Sequence, residues 1–343
     1  MGIAPAYDAR LFVTPGEAYR RVLAKVQRWR EAQPKKPFKQ KIWRARHRSA
    51  QAAPGDQVLS LVGERGSGKT WLLRHLAEDD NRVSPLSLYL DLERRTRHAK
   101  PENFCQAVEE QIRAQCSNSR AVLLLDAVPP YLDDHLRALE NEILKPELTQ
   151  RGSLVIMAPV HPLQICWRLP ALRGAERCSL APFDESLTRE QLWQLQQAGI
   201  AQNGLKASLV HAASGGLPLF TYLVATRDEV DSSEALLTYW LARVPATERE
   251  RVRSYLEAVC TLDTLEHAKI RKALAAYHRY YPDMGKYPSH PGDVRNALRK
   301  HWLAHSMPTS PGRLVVVDSI GRATRQIVQA RNADLYASLK AIA

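Results

Sequence analysis

The sequence predicts an α/β protein in which a parallel sheet is covered by helices and is followed by a helical segment and a second small domain. An apolar strand, a glycine-rich loop and a helix succeed one another over Val58–Leu73. The later apolar segments Leu86–Asp91, Ala121–Asp126 and Ser153–Met157 alternate with helical segments, which is typical of parallel sheets covered on both faces. From about Pro245 the pattern changes to three helices and a β-hairpin.

The first fifty residues are basic and begin with a predicted helix. Thr14, Pro15 and Glu17 fit a capping box with proline at the first helical position, so we expect a helix that continues to about Arg30. The following segment, Pro34–Arg48, has seven Lys or Arg residues and no acid. Such a run is typical either of a solvated helix or linker or of a surface that contacts a phosphate backbone.

The loop after the first strand fits the pattern G-x-x-x-x-G-K-[ST], the phosphate-binding loop of P-loop NTPases. Its glycines let successive N–H groups point at an anion, and the helix that follows directs its positive end at phosphates. Lys69 is expected to bind the β- and γ-phosphates, and the Thr70 hydroxyl to bind Mg²⁺. The sequence therefore predicts ATP or ADP with Mg²⁺, and the predicted nucleotide-binding residues here are Gly63, Glu64, Arg65, Gly66, Ser67, Gly68, Lys69, Thr70 and Trp71.

An acid ends the third predicted strand. The apolar run from Ala121 is followed by Asp126, the pattern of a Walker B strand. A carboxylate at that end of the strand lies near Thr70 and holds Mg²⁺, usually through water. Lys69 and Asp126 are therefore the predicted catalytic residues, and Thr70 and Asp126 are the predicted metal ligands.

The remaining helices are predicted from periodicity and from glycine and proline positions. Gly215-Gly216 ends one helix and Pro218 begins the next. Predicted helices cover Glu190–Gln197, Leu205–Ala213, Ser233–Arg243, Thr247–Cys260, Leu265–Tyr277 and Pro291–Leu303, and the last covers about Ile320–Leu339. The segment Trp302–Met307, a turn at Pro308–Gly312 and the strand Leu314–Val317 form the predicted hairpin. Three helices followed by a hairpin describe a winged helix.

Charge is unevenly placed along the chain. The net charge of +13 divides into +10 over residues 1–50, −4 over 51–245 and +7 over 246–343, which admits an anionic partner without requiring one. No apolar run approaches the ~18 residues of a membrane span, and the start of the chain has no signal-peptide core. Five scattered cysteines with no C-x-x-C pair are expected to be free thiols. We therefore expect a cytoplasmic protein with no membrane partner.

The order of these features resembles the STAND branch of the AAA+-like P-loop NTPases. The features that carry the resemblance are, in chain order, the P-loop, the Asp126 strand, Gly215-Gly216-Leu217-Pro218 and the carboxyl-terminal winged helix. The resemblance covers about residues 8–343 and implies that Pro218 packs near adenine as part of a G-x-P motif. It also implies four parts: an amino-terminal helix and basic linker (1–50), a P-loop NTPase core (51–185), a helical lid (186–245) and a winged-helix domain (246–343).

Two departures from the family pattern bear on hydrolysis. The family usually has a second acid after the Walker B acid, but Ala127 follows Asp126 here. Ala158 and Pro159 end the fourth strand, where a polar or Arg sensor is usual, and His161 is the nearest candidate. The acids Asp133-Asp134 lie too far along the chain to substitute unless the loop folds back. These two departures therefore predict slow hydrolysis.

Three functions remain open at the level of the sequence. The first is a switch whose nucleotide state controls homo-oligomerisation or engagement of a separately encoded effector protein. The second is a DNA-binding AAA+-type regulator that contacts nucleic acid through residues 34–48 and the winged helix. The third is a fast ATPase motor, against which the missing acid counts. DNA binding, rapid turnover and a nucleotide-dependent change of size distinguish the three.

Overall fold

The structure is a computed structural model that describes residues 5–32, 57–98, 100–116, 120–129, 133–160, 167–242, 244–282, 290–301, 303–307 and 310–343. Within these ranges the chain forms two compact units, residues 7–183, and residues 184–343 together with residues 5 and 6. The predicted four-part division is finer than this and stays a prediction. The predicted basic segment Pro34–Arg48 and His161 lie outside the described residues.

The first unit is built on a five-stranded sheet in the order β2-β3-β4-β1-β5, and every neighbouring pair is parallel. This confirms the predicted parallel sheet. Strand β4 lies between β1 and β3, so the glycine-rich loop and the Asp126 strand are separated by one strand. The strands are β1 (Val58–Val62), β2 (Ser87–Asp91), β3 (Val122–Val128), β4 (Leu154–Pro159) and β5 (Glu176–Ser179).

Helices cover both faces of this sheet because alternate residues of each buried strand point to opposite sides. Leu124 packs in one core with Leu72 and Leu73, whereas Leu123 packs in another with Val108 and Ile112. The helical segment between β3 and β4 begins at Asp134 and continues in π geometry over Leu139–Leu144 and Glu147–Arg151. The helices of this unit are α1 (Gly16–Glu31), α2 (Lys69–Glu78), α3 (Pro101–Cys116), α4 (Asp134–Ala138) and α5 (Pro170–Arg173).

The predicted capping box of α1 does not form. The helix begins at Gly16, whose φ of +38° lies in the left-handed region, and no side chain caps its first turn. The backbone N–H of Gly16 instead donates to the carbonyl of Thr14, at 2.8 Å. The box is wrong because this tight turn places Pro15, and not Thr14, next to the first helical residue.

Helix α1 packs on the face of the sheet beside β5, in the core that also contains Leu59 and Leu61 of β1. The Lys25 ammonium is almost fully buried and lies 2.8 Å from a carboxylate oxygen of Glu176 on β5. Arg21 and Arg28 also contact Glu176, and Arg21 Nη2 donates to the Arg177 carbonyl at 3.1 Å. Part of the amino-terminal positive charge is therefore bound to an acid of the same chain.

The second unit is helical apart from one antiparallel hairpin, β6 (Ala304–Met307) paired with β7 (Ser310–Val316). Helices α10, α11 and α12 contact one another, and α12 contacts β6. The helices are α6 (Glu185–Gln197), α7 (Ala207–Ser214), α8 (Pro218–Thr226), α9 (Glu229–Leu241), α10 (Ala246–Val259), α11 (His267–Tyr280), α12 (Pro291–Lys300), α13 (Asp318–Arg331) and α14 (Ala333–Lys340).

The prediction of one final helix is wrong because Asn332 interrupts it. Asn332 has an extended backbone, and its side chain accepts a hydrogen bond from the Leu335 N–H at the start of α14. Asparagine is among the preferred residues at this position of a helix. The chain therefore ends in two helices, α13 and α14.

An ionic cluster joins three helices of the second unit. Arg253 on α10 contacts Glu234 on α9 and Glu257 on its own helix, and Arg331 on α13 contacts the same two acids. The Tyr277 hydroxyl donates to Glu257 Oε2 at 2.8 Å. Each acid is therefore neutralised by more than one donor.

Two expectations from composition concern membranes and thiols. Within the described ranges, no helix is long and apolar enough to cross a membrane. Cys105, Cys116, Cys178 and Cys260 are buried and free of disulfide bonds. Cys166 lies outside the described residues.

Candidate functional site

The glycine-rich loop has a backbone that only glycine adopts without strain. Gly66 and Gly68 have φ values of +90° and +91°, in the left-handed region, and Gly68 immediately precedes α2. A Cβ on Gly63 would lie 2.8 Å from Ser67 Oγ and 3.0 Å from the Leu180 carbonyl oxygen, so glycine is required there for space. The pattern of glycines read from the sequence therefore has a physical reason at each of these positions.

Ser67 carries a buried polar atom with no protein partner. The residue is 2% exposed, and its Oγ has no hydrogen-bond partner among the residues that the structure describes. Buried polar atoms nearly always have a partner, and those without one need an explanation. A phosphate oxygen in the loop would supply that partner, so the loop fits a nucleotide phosphate.

Lys69 lies across the loop that precedes it. Its ammonium donates to the carbonyl oxygens of Gly63 and Glu64, at 2.7 and 2.9 Å. Both partners are neutral and belong to the same loop, so a phosphate that carries full negative charge is the stronger acceptor. The amine is therefore placed at the loop, as the sequence motif predicts, and its binding of phosphate stays a prediction.

The structure brings Thr70 and Asp126 together. Thr70 is the second residue of α2 and Asp126 lies on β3, and the Thr70 Oγ1 donates to Asp126 Oδ1 at 3.2 Å. A hydroxyl and a carboxylate oxygen are both ligands that Mg²⁺ accepts. The pair that the sequence predicts as metal ligands is thus adjacent, and its binding of Mg²⁺ stays a prediction.

Two further donors hold the Asp126 carboxylate. The Tyr89 hydroxyl on β2 donates to Oδ2 at 2.7 Å, and the Ala127 N–H donates to Oδ1 at 2.8 Å. Burial raises the pKa of Asp126, and the hydrogen bonds from Tyr89 and Thr70 act in the opposite direction. The Arg74 guanidinium lies 4.1 Å from the centre of the Tyr89 ring. Sequence reasoning missed Tyr89, since no motif marks it and only strand pairing places it here.

Ala127 occupies a strained position. Its φ of +52° is the one positive value among the described residues other than glycine, and the β3–β4 register shifts between Leu125 and Val128. A bulge of this kind redirects side chains at the end of a strand. The position that a second acid would occupy is therefore both apolar and bent out of the regular strand.

The alternative acids that follow β3 have structural partners. Asp133 accepts hydrogen bonds from the buried Arg95 and from the Leu136 N–H, which it caps at 2.9 Å. Burial acts to raise the pKa of Asp133, but these hydrogen bonds outweigh it and lower the pKa. Asp134 is exposed and pairs with Arg137. Asp133 is therefore held by structural contacts, whereas the Asp134 carboxylate is exposed beside Arg137.

The other predicted nucleotide-binding residues lie in two places. The Trp71 ring packs edge-on against the Tyr7 ring, with centroids 5.4 Å apart. Glu64 and Arg65 lie in the loop itself, where the Glu64 carbonyl accepts from the Ser67 N–H. Pro218 belongs to the second unit.

The Pro218 turn has its own support within the second unit. Gly215 and Gly216 have φ values of +61° and +74°, and Pro218 begins α8. The Gln191 side chain on α6 donates to the Pro218 carbonyl at 2.9 Å. The predicted helix break and restart are therefore observed, while contact of Pro218 with adenine stays a prediction.

Comparison with known proteins identifies the segment that contains this site. Residues 51–145 match the family model of the AAA domain. That segment includes the loop and Asp126, so the part of the chain that carries the candidate site is similar to AAA domains. No curated protein matches the chain.

Three solved structures that resemble this one are all distant in sequence. A Walker-type ATPase of Pyrococcus abyssi is 11% identical, with a TM-score of 0.54 and coverage of 93% of this chain and 97% of that one. A mutant RuvB of Thermotoga maritima is 12% identical, with a TM-score of 0.46 and coverage of 92% and 96%. The Orc1 protein of Aeropyrum pernix, solved in complex with DNA, is 12% identical, with a TM-score of 0.41 and coverage of 94% and 95%. The likeness to the first supports the α/β P-loop fold.

Proposed function

We propose that the protein is a nucleotide-dependent switch of the STAND type. It binds ATP or ADP with Mg²⁺ at the loop of residues 63–70 and at Asp126, hydrolyses ATP slowly, and changes its assembly with the bound nucleotide. The observation that carries this proposal is the 3.2 Å hydrogen bond between Thr70 and Asp126 beside a strand that continues into Ala127 instead of a second acid.

The residues of the site divide the work of binding. The N–H groups of the loop and the start of α2 face the phosphates, where the helix dipole favours negative charge. Lys69 exchanges its two carbonyl partners for phosphate oxygens. Thr70 and Asp126 hold Mg²⁺, which when bound neutralises the charge of the phosphates. Tyr89 holds the Asp126 carboxylate so that Oδ1 stays directed at Thr70.

Slow hydrolysis follows from what surrounds Asp126. A positioned base contributes on the order of 10²–10⁴ to a rate, and Ala127 offers none. We therefore expect turnover in the range of an unassisted GTPase, ~10⁻³ to 10⁻² per second. Hydrolysis at this rate suits a switch, since the γ-phosphate can favour one conformation for minutes before it is released.

In this proposal the second unit is the part of the protein that changes conformation with the bound nucleotide. The packing of α10, α11 and α12 with the β6–β7 hairpin supports its interpretation as a winged helix, and the Pro218 turn supports a lid of the G-x-P type. In this proposal ADP holds the winged-helix domain (246–343) and lid (186–245) in a closed state. ATP with a trigger releases them in the cytoplasm for homo-oligomerisation or for an effector protein.

The test measures the molecular mass of the protein in solution in the presence of each nucleotide. Size-exclusion chromatography with light scattering is run on the full chain in ADP, in ATP and in a non-hydrolysable ATP analogue, with Lys69→Ala as the control. We expect a larger species in ATP or the analogue than in ADP, and no such difference for Lys69→Ala. The same mass in all nucleotides, with nucleotide bound, would remove the assembly part of the proposal.

DNA binding is a second candidate, favoured by one observation. Arg299 on α12 and Arg313 on β7 are exposed on neighbouring elements, as in a helix and hairpin that contact a duplex. Lys300 on the same helix instead pairs with Glu248 at 3.0 Å, so its charge is already bound within the chain. DNA binding at about 50 mM salt that weakens with added salt, and that Arg299→Gln weakens for all sequences alike, would support this function. Absence of binding at that salt would reject it.

A further inference from the structure

The strand beside Asp126 ends in a second acid. Strands β2 and β3 pair in parallel with Asp91 opposite Asp126 and Tyr89 opposite Leu124. Residues opposite each other in neighbouring strands point to the same face of a sheet, and alternate residues of one strand share a face. Asp91 therefore lies on the same face as Tyr89 and Asp126, at the carboxyl edge of the sheet.

This face is the one that α2 covers. Helix α2 contacts both β2 and β3. At its start Thr70 meets Asp126, and one turn later Arg74 lies over the Tyr89 ring. The phosphate loop therefore lies at the same edge of the sheet as Asp126 and its neighbour on β2, Asp91. Neighbouring strands are about 4.8 Å apart, so Asp91 and Asp126 occupy adjacent positions at this edge.

A backbone N–H orients the Asp91 carboxylate, which remains accessible to solvent. Its Oδ1 accepts from the Glu93 N–H at 3.0 Å, and its Oδ2 lies 3.0 Å from Arg94 Nε. The Asp91 side chain is 23% exposed and that of Arg94 is 60% exposed. In contrast to Asp133, which is held by the buried Arg95, Asp91 has a charged partner that solvent or a ligand can replace.

We propose that Asp91 is the acid that orients the attacking water. Because it lies on the neighbouring strand and not next to Asp126 on β3, it replaces only part of the effect of the residue missing at position 127, and the slow turnover expected above already includes its contribution. This rests on the proposed function, since it assumes that ATP and Mg²⁺ occupy the loop. The Asp91 carboxylate accepts a hydrogen bond from the water. The water oxygen bonds to the γ-phosphorus while the bond to the bridging oxygen breaks. The bond electrons leave with ADP, and the proton lost by the water passes by way of Asp91 to solvent.

The experiment replaces Asp91 without removing its structural contact. Asp91→Asn keeps an oxygen that can accept from the Glu93 N–H, but it removes the charge. Single-turnover phosphate release is measured beside the affinity for a non-hydrolysable ATP analogue and for ADP with aluminium fluoride, whose complex includes the water. Asp134→Asn is the matched control, because that acid is exposed and its ionic partner among the described residues is Arg137.

We expect Asp91→Asn to slow phosphate release on the order of 10²-fold or more, with unchanged affinity for the ATP analogue and weaker binding of ADP with aluminium fluoride. Asp134→Asn should change none of these. Unchanged phosphate release by folded Asp91→Asn would overturn the proposal, as would an equal loss of affinity for both nucleotide complexes, which would indicate a metal or structural role. Failure of the wild type to bind any nucleotide would instead reject the proposed function.

Discussion

Tyr89→Phe isolates one hydrogen bond at the centre of the candidate site. The substitution removes the hydroxyl that donates to Asp126 Oδ2 at 2.7 Å and keeps the ring that Arg74 covers. Asp126 is 5% exposed, so water cannot readily replace the lost donor. The carboxylate would keep its contacts with Thr70 and the Ala127 N–H, both on Oδ1.

The expected loss can be worked out from the charge of the acceptor. A hydrogen bond to a charged group contributes about 1.5–3 kcal/mol, against about 1 kcal/mol for a neutral pair. Since 1.36 kcal/mol is a factor of ten, amide hydrogens of β3 that exchange by local opening should exchange roughly ten- to hundred-fold faster in the variant. The bond favours the ionised form of Asp126, so its loss raises the pKa of Asp126 further above its ordinary value.

The sign of the pH dependence follows. Burial already raises the pKa of Asp126 in the folded protein, so protonation stabilises the fold as the pH falls. The variant gains more from protonation than the wild type does. The difference between the two proteins should therefore be largest at neutral pH and should shrink as the pH falls through the raised pKa of Asp126.

The assay is hydrogen exchange with mass spectrometry on the nucleotide-free protein, read on peptides that contain β3. Tyr277→Phe is the matched control, because it removes a hydroxyl that donates to the buried Glu257 in the second unit. That control should accelerate exchange in α10 and leave β3 unchanged. Equal exchange of β3 in Tyr89→Phe and the wild type at neutral pH would refute the reasoning about this bond.

Three other changes test separate parts of the molecule. Lys69→Ala should weaken ATP binding by roughly 1.5–3 kcal/mol or more, measured by calorimetry on a variant with unchanged circular dichroism; unchanged affinity would reject the loop assignment. Ala127→Gly should stabilise the protein by about 0.5–1 kcal/mol in thermal unfolding, since the left-handed conformation costs a residue with a Cβ about 1–2 kcal/mol and glycine loses part of that gain in the unfolded chain; a lower melting temperature would contradict this. Hydrogen bonds from His301 and Lys300 lower the pKa of Glu248 to about 2, so the stability that they confer is present above pH 4.5 and is lost as the pH falls towards 2. Glu248→Gln should flatten acid unfolding over that range, and an unchanged acid transition would contradict it.

The parts of the site that lie in one continuous segment were predictable from the sequence. The loop of residues 63–70 has its glycines where the backbone is left-handed or crowded, and a sequence motif records such local requirements directly. The approach of Thr70 to Asp126 followed from a general property of parallel sheets, whose carboxyl ends meet at one edge. Those expectations needed only the type and order of the elements.

Contacts that depend on register could not be read in the same way. Tyr89 and Asp91 reach the site only because β2 pairs with β3 at one particular register, and a shift of one residue would turn both side chains to the other face. Asn332 illustrates a smaller limit, because one polar residue within an apolar repeat does not reveal whether it faces solvent or caps a new helix. The start of α1 depends likewise on the positive φ of Gly16, which a capping-box pattern does not record.

Helix α1 has a consequence for how the protein can be shortened or can misassemble. The outer side of β5 would otherwise present unpaired backbone groups, the kind of edge onto which a strand of another molecule can add. At this side of the strand the Arg21 guanidinium donates to the Arg177 carbonyl. The Cys178 thiol lies 3.7 Å from the Ala18 carbonyl, and Lys25 holds the helix to Glu176 through an ion pair. The amino-terminal helix therefore binds one backbone carbonyl of the edge strand and covers the side chains on its inner face. We expect a truncated chain that begins at the first strand to associate more readily through β5, where Glu176 would also lose its basic partners.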